Sequence, residues 1–320
     1  VKAEHLASGR LATGTELYPT PGWHRPQPPI MQRILAPTSE RDSVKLSGAL
    51  AAIAEGDAAL TVTQDPATGG ALVGVQGPLH LRVVRQRLKE AFGMDVEEVM
   101  PAPEYRETIS KSQETAYRHK KQTGGAGQFA DVRLVVAPGA RGSGFSFSEV
   151  VKGGAVPRNY IPAVEAGARD TMERGPLGFP VLDVSVTLTD GLHHAVDSSE
   201  MAFRIAGRRG VAEALKAAGP VLLQPVCRVA IHAPAQFTGS LGPIVASHAG
   251  QVLGFDADPR NKGWEIFEAL VPGGALGGLA NDVRAATQGV GWFKAEFDHY
   301  DELHGKAADK IVQERAKEPA

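Results

Sequence analysis

Two adjacent histidines, His193 and His194, are followed closely by Asp197, Ser198, Ser199 and Glu200. Imidazoles and carboxylates are the donors that zinc or manganese would take. Adjacent histidines point in different directions, however, and no third or fourth ligand stands at helical spacing. A serine nucleophile would want a strained turn such as Gly-x-Ser-x-Gly, which the stretch lacks. A third reading needs no reaction. Asp190-Gly191 makes a turn, Asp197 caps a helix over 198–218, and Glu200 takes the capping-box position three residues on. The histidines then sit on the loop before that helix, where an imidazole can stack on a base or bond to a phosphate.

A second group lies upstream. Lys120-Lys121, with Arg118 and His119, runs into Gln122-Thr123-Gly124-Gly125-Ala126-Gly127-Gln128. The glycines by themselves read first as a flexible hairpin tip, and second as a tip whose bare backbone N–H groups approach RNA. In the RNA reading Gln122 and Gln128 exchange hydrogen bonds with bases or 2′-hydroxyls, and the lysines meet phosphate. No Gly-x4-Gly-Lys-Ser/Thr pattern occurs anywhere in the chain, so the loop is no nucleotide-binding P-loop. Arg208-Arg209 is a weaker basic candidate, and His232, His248, His299 and His304 are scattered and read as structural or solvated.

The elements that must position these groups are legible in part. Residues 19–29 hold five prolines, Pro19, Pro21, Pro26, Pro28 and Pro29, and read as a linker after the tail of an upstream domain. Beyond it, strand 30–35, helix 43–55, strands 60–64 and 71–75, a helix opening at Pro78 and strand 94–100 follow in the order βαββαβ. Leu46, Ala49, Leu50 and Ile53 stripe the first helix; Leu81, Val84, Leu88 and Phe92 stripe the second. The same order returns as strand 221–233, helix 234–248, strands 251–255 and 264–271, helix 276–287 and strand 291–297. Between the two modules the pattern gives strands at 104–113, 129–138 and 181–189. It adds helices at 161–174, closed by Gly175, and at 198–218. The tail 301–320 is charged and helix-prone.

Bulk properties narrow the partners. A length of 320 residues, with 42% hydrophobic and 22% charged, allows two or three ordinary globular domains. A formal charge of −2 means that any RNA contact comes from local patches or shape, not bulk attraction. The single cysteine, Cys227, leaves no internal disulfide and suits a reducing cytoplasm. No apolar run is long enough to span a bilayer, and a start at Val1 in place of Met reads as a piece excised from a longer protein.

Taken in order, Tyr105-Arg106-Glu107-Thr108-Ile109, the glycine loop and the run from Asp190 to Phe203 resemble the fourth domain of bacterial elongation factor G. The flanks extend the resemblance. Asp42-Ser43-Val44-Lys45-Leu46 and Gly74-Val75-Gln76-Gly77-Pro78-Leu79-His80-Leu81 are similar to the third domain. Ala285-Ala286-Thr287-Gln288-Gly289 and Glu296-Phe297-Asp298-His299-Tyr300 are similar to the fifth.

The resemblance implies an α+β, multidomain chain. Two ferredoxin-like βαββαβ modules, 28–100 and 221–300, would flank an S5-domain-2-like α+β domain at 101–220. Residues 1–27 would be the tail of a β-barrel domain with its linker, and 301–320 a charged tail. It further implies a cytoplasmic, monomeric translation factor that promotes GTP-dependent movement of tRNA and mRNA. Its partners would be rRNA, A-site tRNA, mRNA and its own upstream GTPase domain, with no membrane. GTP and Mg2+ would belong to that upstream domain, leaving no cofactor, metal or catalytic site in this chain. By position, Gln122 and His194 match the family's two decoding-centre contacts. Lys120, Lys121, Thr123, Gly124, Gly125, Gln128 and His193 complete the expected contact set.

The chain departs from the family pattern at three places. Ala126 stands where an arginine is usual, Pro78 where a glutamate is usual, and Ala246-Ser247-His248-Ala249 where several arginines are usual. These departures suit a paralogue specialised for recycling, rescue or ribosome protection; the retained Gln122 and His194 suit translocation. A stand-alone RNA-binding protein or a metal-dependent enzyme using His193 and His194 is the alternative from another class.

Overall fold

The computed structural model describes residues 10–13, 16–19, 28–65, 68–122 and 127–317. They fall into two compact units: Val1–Pro103 with Val226–Asp298, and Glu104–Pro225 with His299–Ala320. The chain is α+β throughout.

The first unit opens with an antiparallel pair, β1 (Arg10–Thr13) and β2 (Glu16–Pro19). Next come β3 (Met31–Pro37), α1 (Ser43–Glu55), β4 (Thr61–Gln64), β5 (Ala71–Val75), α2 (Pro78–Phe92) and β6 (Val96–Val99). The sheet runs β4-β5-β3-β6 with every pairing antiparallel, the order of a ferredoxin-like module. The predicted stripe of α1 is the set it buries, Leu46, Ala49, Leu50 and Ile53. Each large member removed from water stabilises the fold by roughly 1.5–3 kcal/mol. In α2 Pro78 sits in the first turn, where its missing N–H is harmless. Leu81, Val84 and Leu88 are buried as expected, but Phe92 is 42% exposed. The helix ends there because Gly93, at φ 68, turns back to the Leu88 and Lys89 carbonyls, and Phe92 is carried off the core face.

The second unit holds β7 (Arg106–Ile109), β8 (Gln113–Lys121), β9 (Gln128–Pro138), β10 (Phe145–Glu149), α3 (Ile161–Met172), β11 (Val184–Leu192), α4 (Glu200–Ala217) and the start of β12 (Pro220–Pro234). The sheet order is β10-β11-β9-β8. Only β10 and β11 pair parallel, which requires the crossover that α3 supplies. Val132, Leu134, Val136, Val184, Val186 and Leu188 turn one sheet face onto Val164, Ala168, Phe203, Ala206 and Val211 of α3 and α4. The exposed face is polar, with Arg133 near Asp190 and Ser148 bonded to Thr187.

Three expectations for this unit are corrected. The strand foreseen over 104–113 is two strands, because Ser110 and Lys111 donate to the carbonyls of Ala218 and Gly219 and leave the ladder. α3 ends at Met172 with Glu173 as its cap, not at Gly175. α4 is capped by Ser199, whose Oγ accepts the Ala202 N–H, and not by Asp197; with the cap at 199, Glu200 is no capping-box residue. β10 was not foreseen at all.

From Val226 the chain rejoins the first unit. α5 (Ala235–Ser247), β13 (Gln251–Ala257), β14 (Trp264–Pro272), α6 (Leu276–Ala286) and β15 (Trp292–Leu303) give the sheet order β13-β14-β12-β15, the same topology again. Its core gathers Val229, Ile231, Leu241, Val245, Phe267, Leu279 and Val283. The charged tail forms α7 (Lys306–Lys317), which belongs to the second unit. There Arg315 donates to the Gly178 carbonyl at 3.1 Å and lies over the Phe179 ring. None of the described helices is long and apolar enough to cross a membrane.

Candidate nucleic-acid interface

β8 carries the basic cluster, and the two-residue period of a strand divides it between faces. Arg118 lies on the open face and is held by Asp131 at 2.7 Å. His119 points the other way and bonds Gln128 Oε1 at 2.9 Å. Lys120, Lys121 and Gln122 are exposed at the end of the strand. Thr123, Gly124, Gly125 and Ala126 lie outside the described residues. Gln128 opens β9 directly opposite Lys121, and its side-chain oxygen is occupied by His119.

The histidine loop begins where β11 leaves the sheet at Leu192, opposite Asp131. The chain does not swing away. Phe129, two residues earlier on β9, donates its N–H to the Asp197 carbonyl at 2.9 Å, and its own carbonyl accepts the Ser198 hydroxyl at 2.8 Å. Gly127 lies against this loop: a Cβ there would stand 2.7 Å from the Asp197 carboxyl carbon, so a larger residue would displace that side chain.

His193 and His194 are both exposed. The His194 ring is tilted against Phe129, with centroids 6.2 Å apart. His193 Nδ1 is 3.2 Å from the Ala155 carbonyl, which brings in a further loop, 150–157. Tyr160, just past that loop, stacks on Phe203 and donates its hydroxyl to the Ser198 carbonyl at 3.2 Å. The end of β8, the start of β9, the histidine loop and the 150–157 loop thus share one end of the second unit.

Sequence reasoning did not foresee the 150–157 loop, nor its exposed Lys152 and the neighbouring Arg158. It read Ser198 as the first residue of a helix and weighed a serine of this stretch as a nucleophile. In the fold the Ser198 hydroxyl donates to the Phe129 carbonyl and not to a side-chain base. Among the described residues no group of three or more His, Cys, Asp or Glu side chains is placed to hold a metal ion.

Arg208 and Arg209 are exposed on α4, more than two helical turns beyond the loop. Their neighbour Arg204 is committed to Asp170 through two hydrogen bonds of 2.8 and 3.0 Å. These bonds, with the nearby guanidinium charge, hold the Asp170 carboxyl below the usual carboxylate range. The arrangement is one of exposed cations and ring nitrogens on a firmly held scaffold, suited to hydrogen bonding with a polyanion.

Comparison with known proteins gives the same organisation. Residues 26–99 match the family described as elongation factor G domain III, residues 101–219 its domain IV, and residues 221–311 its C-terminus. An elongation factor G-like protein of Synechocystis is 39% identical over 310 residues, covering 97% of this chain and 46% of that protein. The elongation factor G of Dinoroseobacter shibae is 40% identical over 289 residues, covering 90% of this chain and 41% of that protein. A crystal structure from Thermus thermophilus superposes with a TM-score of 0.80 at 34% identity, over 93% of this chain and 44% of that one. The chain spans less than half the length of these relatives. This chain belongs to the elongation factor G family.

Proposed function

We propose that this chain is the C-terminal, RNA-reaching part of a translation factor that promotes movement of tRNA and mRNA on the ribosome. Driven by GTP hydrolysis in an upstream domain, the end of the second unit would enter the decoding site and hold the advanced tRNA–mRNA pair in place. Its partners in this reading are rRNA, A-site tRNA, mRNA and its own GTPase domain; it acts as a monomer in the cytoplasm. The observation that carries the reading is the gathering of exposed Lys120, Lys121, Gln122, His193 and His194 at one end of a single rigid sheet. On a chain of net charge −2, a basic, hydrogen-bonding tip supports a local contact with RNA over bulk attraction.

Thr123, Gly124, Gly125 and Gln128 complete the proposed contact set. In this reading GTP and Mg2+ belong to the upstream domain; the phosphate-binding Gly-x4-Gly-Lys-Ser/Thr pattern does not occur in this chain.

A specialised role in recycling or rescue is the second reading, favoured by one site. Where the family pattern has arginines, Ala246 and Ser247 are exposed, and the His248 ring turns onto Asp282 at 2.8 Å. In this reading the missing charges would weaken contact with large-subunit RNA.

Directed hydroxyl-radical probing tests the placement. A cysteine introduced at Gln122, with Cys227 replaced by serine, carries the iron probe on the full-length factor bound to ribosomes. Cleavage of decoding-site rRNA supports the reading; cleavage confined to other regions contradicts it.

A further inference from the structure

We propose that Ser198 is a positioning residue whose hydroxyl fixes the histidine loop and, through it, holds His194 as the neutral tautomer protonated on Nε2. This inference rests on the reading that His194 meets RNA. The direction of each bond follows from what the groups can do. The His194 backbone N–H can only donate, and it lies 2.8 Å from Ser198 Oγ. The Phe129 carbonyl can only accept, and it too lies 2.8 Å from that oxygen. The hydroxyl therefore accepts on one side and gives its single proton on the other. Its backbone is equally committed: the Ser198 N–H donates to the His194 carbonyl, and the Ser198 carbonyl accepts from Tyr160. The clasp closes a tight turn from 194 to 198 and pins it to the edge of β9 that β11 has vacated.

That turn decides the state of the ring. The backbone N–H groups of Asp197 and Val196 both point at His194 Nδ1, at 3.1 and 3.3 Å. A nitrogen that accepts cannot carry a proton in the same direction, so the proton sits on Nε2. The competing state is the imidazolium, whose Nδ1–H would turn to the Asp197 carboxylate, 3.3 Å away, and forfeit both backbone donors. With the ring about half exposed, its Nε2–H is the group it presents outward, a fixed hydrogen-bond donor. His193 is held in the opposite sense. Its Nδ1–H donates to the Ala155 carbonyl, leaving Nε2 as an acceptor in the neutral ring. Adjacent rings thus offer one donor and one acceptor. The donor fits a phosphate oxygen, a base carbonyl or a ribose oxygen of RNA.

The test is nitrogen NMR of the histidine rings in the full chain, with His194 assigned by its loss in His194→Gln. The expected result is a bare Nδ1 and a protonated Nε2 in the parent. Ser198→Ala should give averaged tautomers, and Ser198→Thr, which keeps the hydroxyl, should restore the parent state. Ser198→Cys, a weak donor and acceptor of similar size, replaces the alanine variant if that one does not fold. An averaged, Nδ1-protonated or doubly protonated ring in the parent would overturn the proposal, as would an unchanged ring in Ser198→Ala. On ribosomes, Ser198→Ala in the full-length factor should slow single-turnover translocation by about five- to tenfold, with Ser198→Thr near the parent. A fixed tautomer without any effect on ribosomes would leave the clasp standing and remove the RNA role.

Discussion

Leu177 donates its backbone N–H to both oxygens of the buried Glu107 carboxylate, at 2.9 Å to Oε2 and 3.2 Å to Oε1. Phe179 adds a third bond at 3.1 Å. Burial nevertheless outweighs these donors and pushes the Glu107 carboxyl up to about 7. Because the folded value lies above the unfolded one, the stability this group contributes is full below pH 4.5 and is lost as pH rises to about 7. The loss is on the order of 3 kcal/mol across that window. Urea unfolding followed by circular dichroism should therefore show the parent losing ground to Glu107→Gln, which cannot titrate, as pH rises through that window. Parallel pH profiles for the two proteins would count against it.

Asp258 behaves in the opposite sense. The Arg260 N–H, then the Asn261 amide and His232, hold its carboxyl down to about 2. The folded value lies below the ordinary 3.8, so its contribution is full above about pH 4 and disappears as pH falls toward 2. Asp258→Asn should cost on the order of 1–2 kcal/mol at neutral pH and little in strong acid. Trp292, stacked on His232 with centroids 4.0 Å apart, supplies a fluorescence signal for the unfolding curves.

Gly77 and Arg284 share one space in the first unit. A Cβ at position 77 would fall on the Arg284 guanidinium, and φ there is 158°, a value that L side chains rarely adopt. Gly77→Ala should destabilise by about 1–3 kcal/mol. Arg284→Ala removes the collision but not the backbone strain. The double variant should then be less costly than the two single changes together by roughly 0.5 kcal/mol or more. Strict additivity in urea unfolding would show that the two residues do not compete.

The exposed surface at the end of α5, at Ala246 and Ser247, gives a gain-of-contact prediction. Ala246→Arg with Ser247→Arg should tighten ribosome binding of the full-length factor. The salt dependence should steepen by about 0.7–0.9 in log–log slope for each phosphate newly met. An unchanged slope in filter binding between low and moderate salt would mean that this surface does not face RNA.

Much of the architecture was legible because periodicity reports burial. The stripe of α1 and the run Ala71–Val75 coincide with the folded elements. β8 was not legible: in Gln113–Lys121 the inward residues are Gln113, Thr115, Tyr117 and His119, so polar side chains hide the alternation. The Asp197 cap failed for a tertiary reason, since the Asp197 carbonyl is drawn to Phe129 and the helix starts two residues later. At the site, the identities of Gln122 and His194 came from resemblance. The clasp through Ser198 depends on where β11 leaves β9, and no local pattern encodes that register.

The proposal that the end of the second unit acts in movement of tRNA and mRNA is tested most directly by single-round toeprinting. Pretranslocation ribosomes would be given the full-length factor with GTP, as the parent and as His194→Ala. The expected result is a one-codon shift with the parent and a shift slowed by about tenfold with the variant, at little loss of ribosome binding. No shift with the parent, while ribosomes still stimulate its GTP hydrolysis, would contradict translocation and leave recycling or rescue.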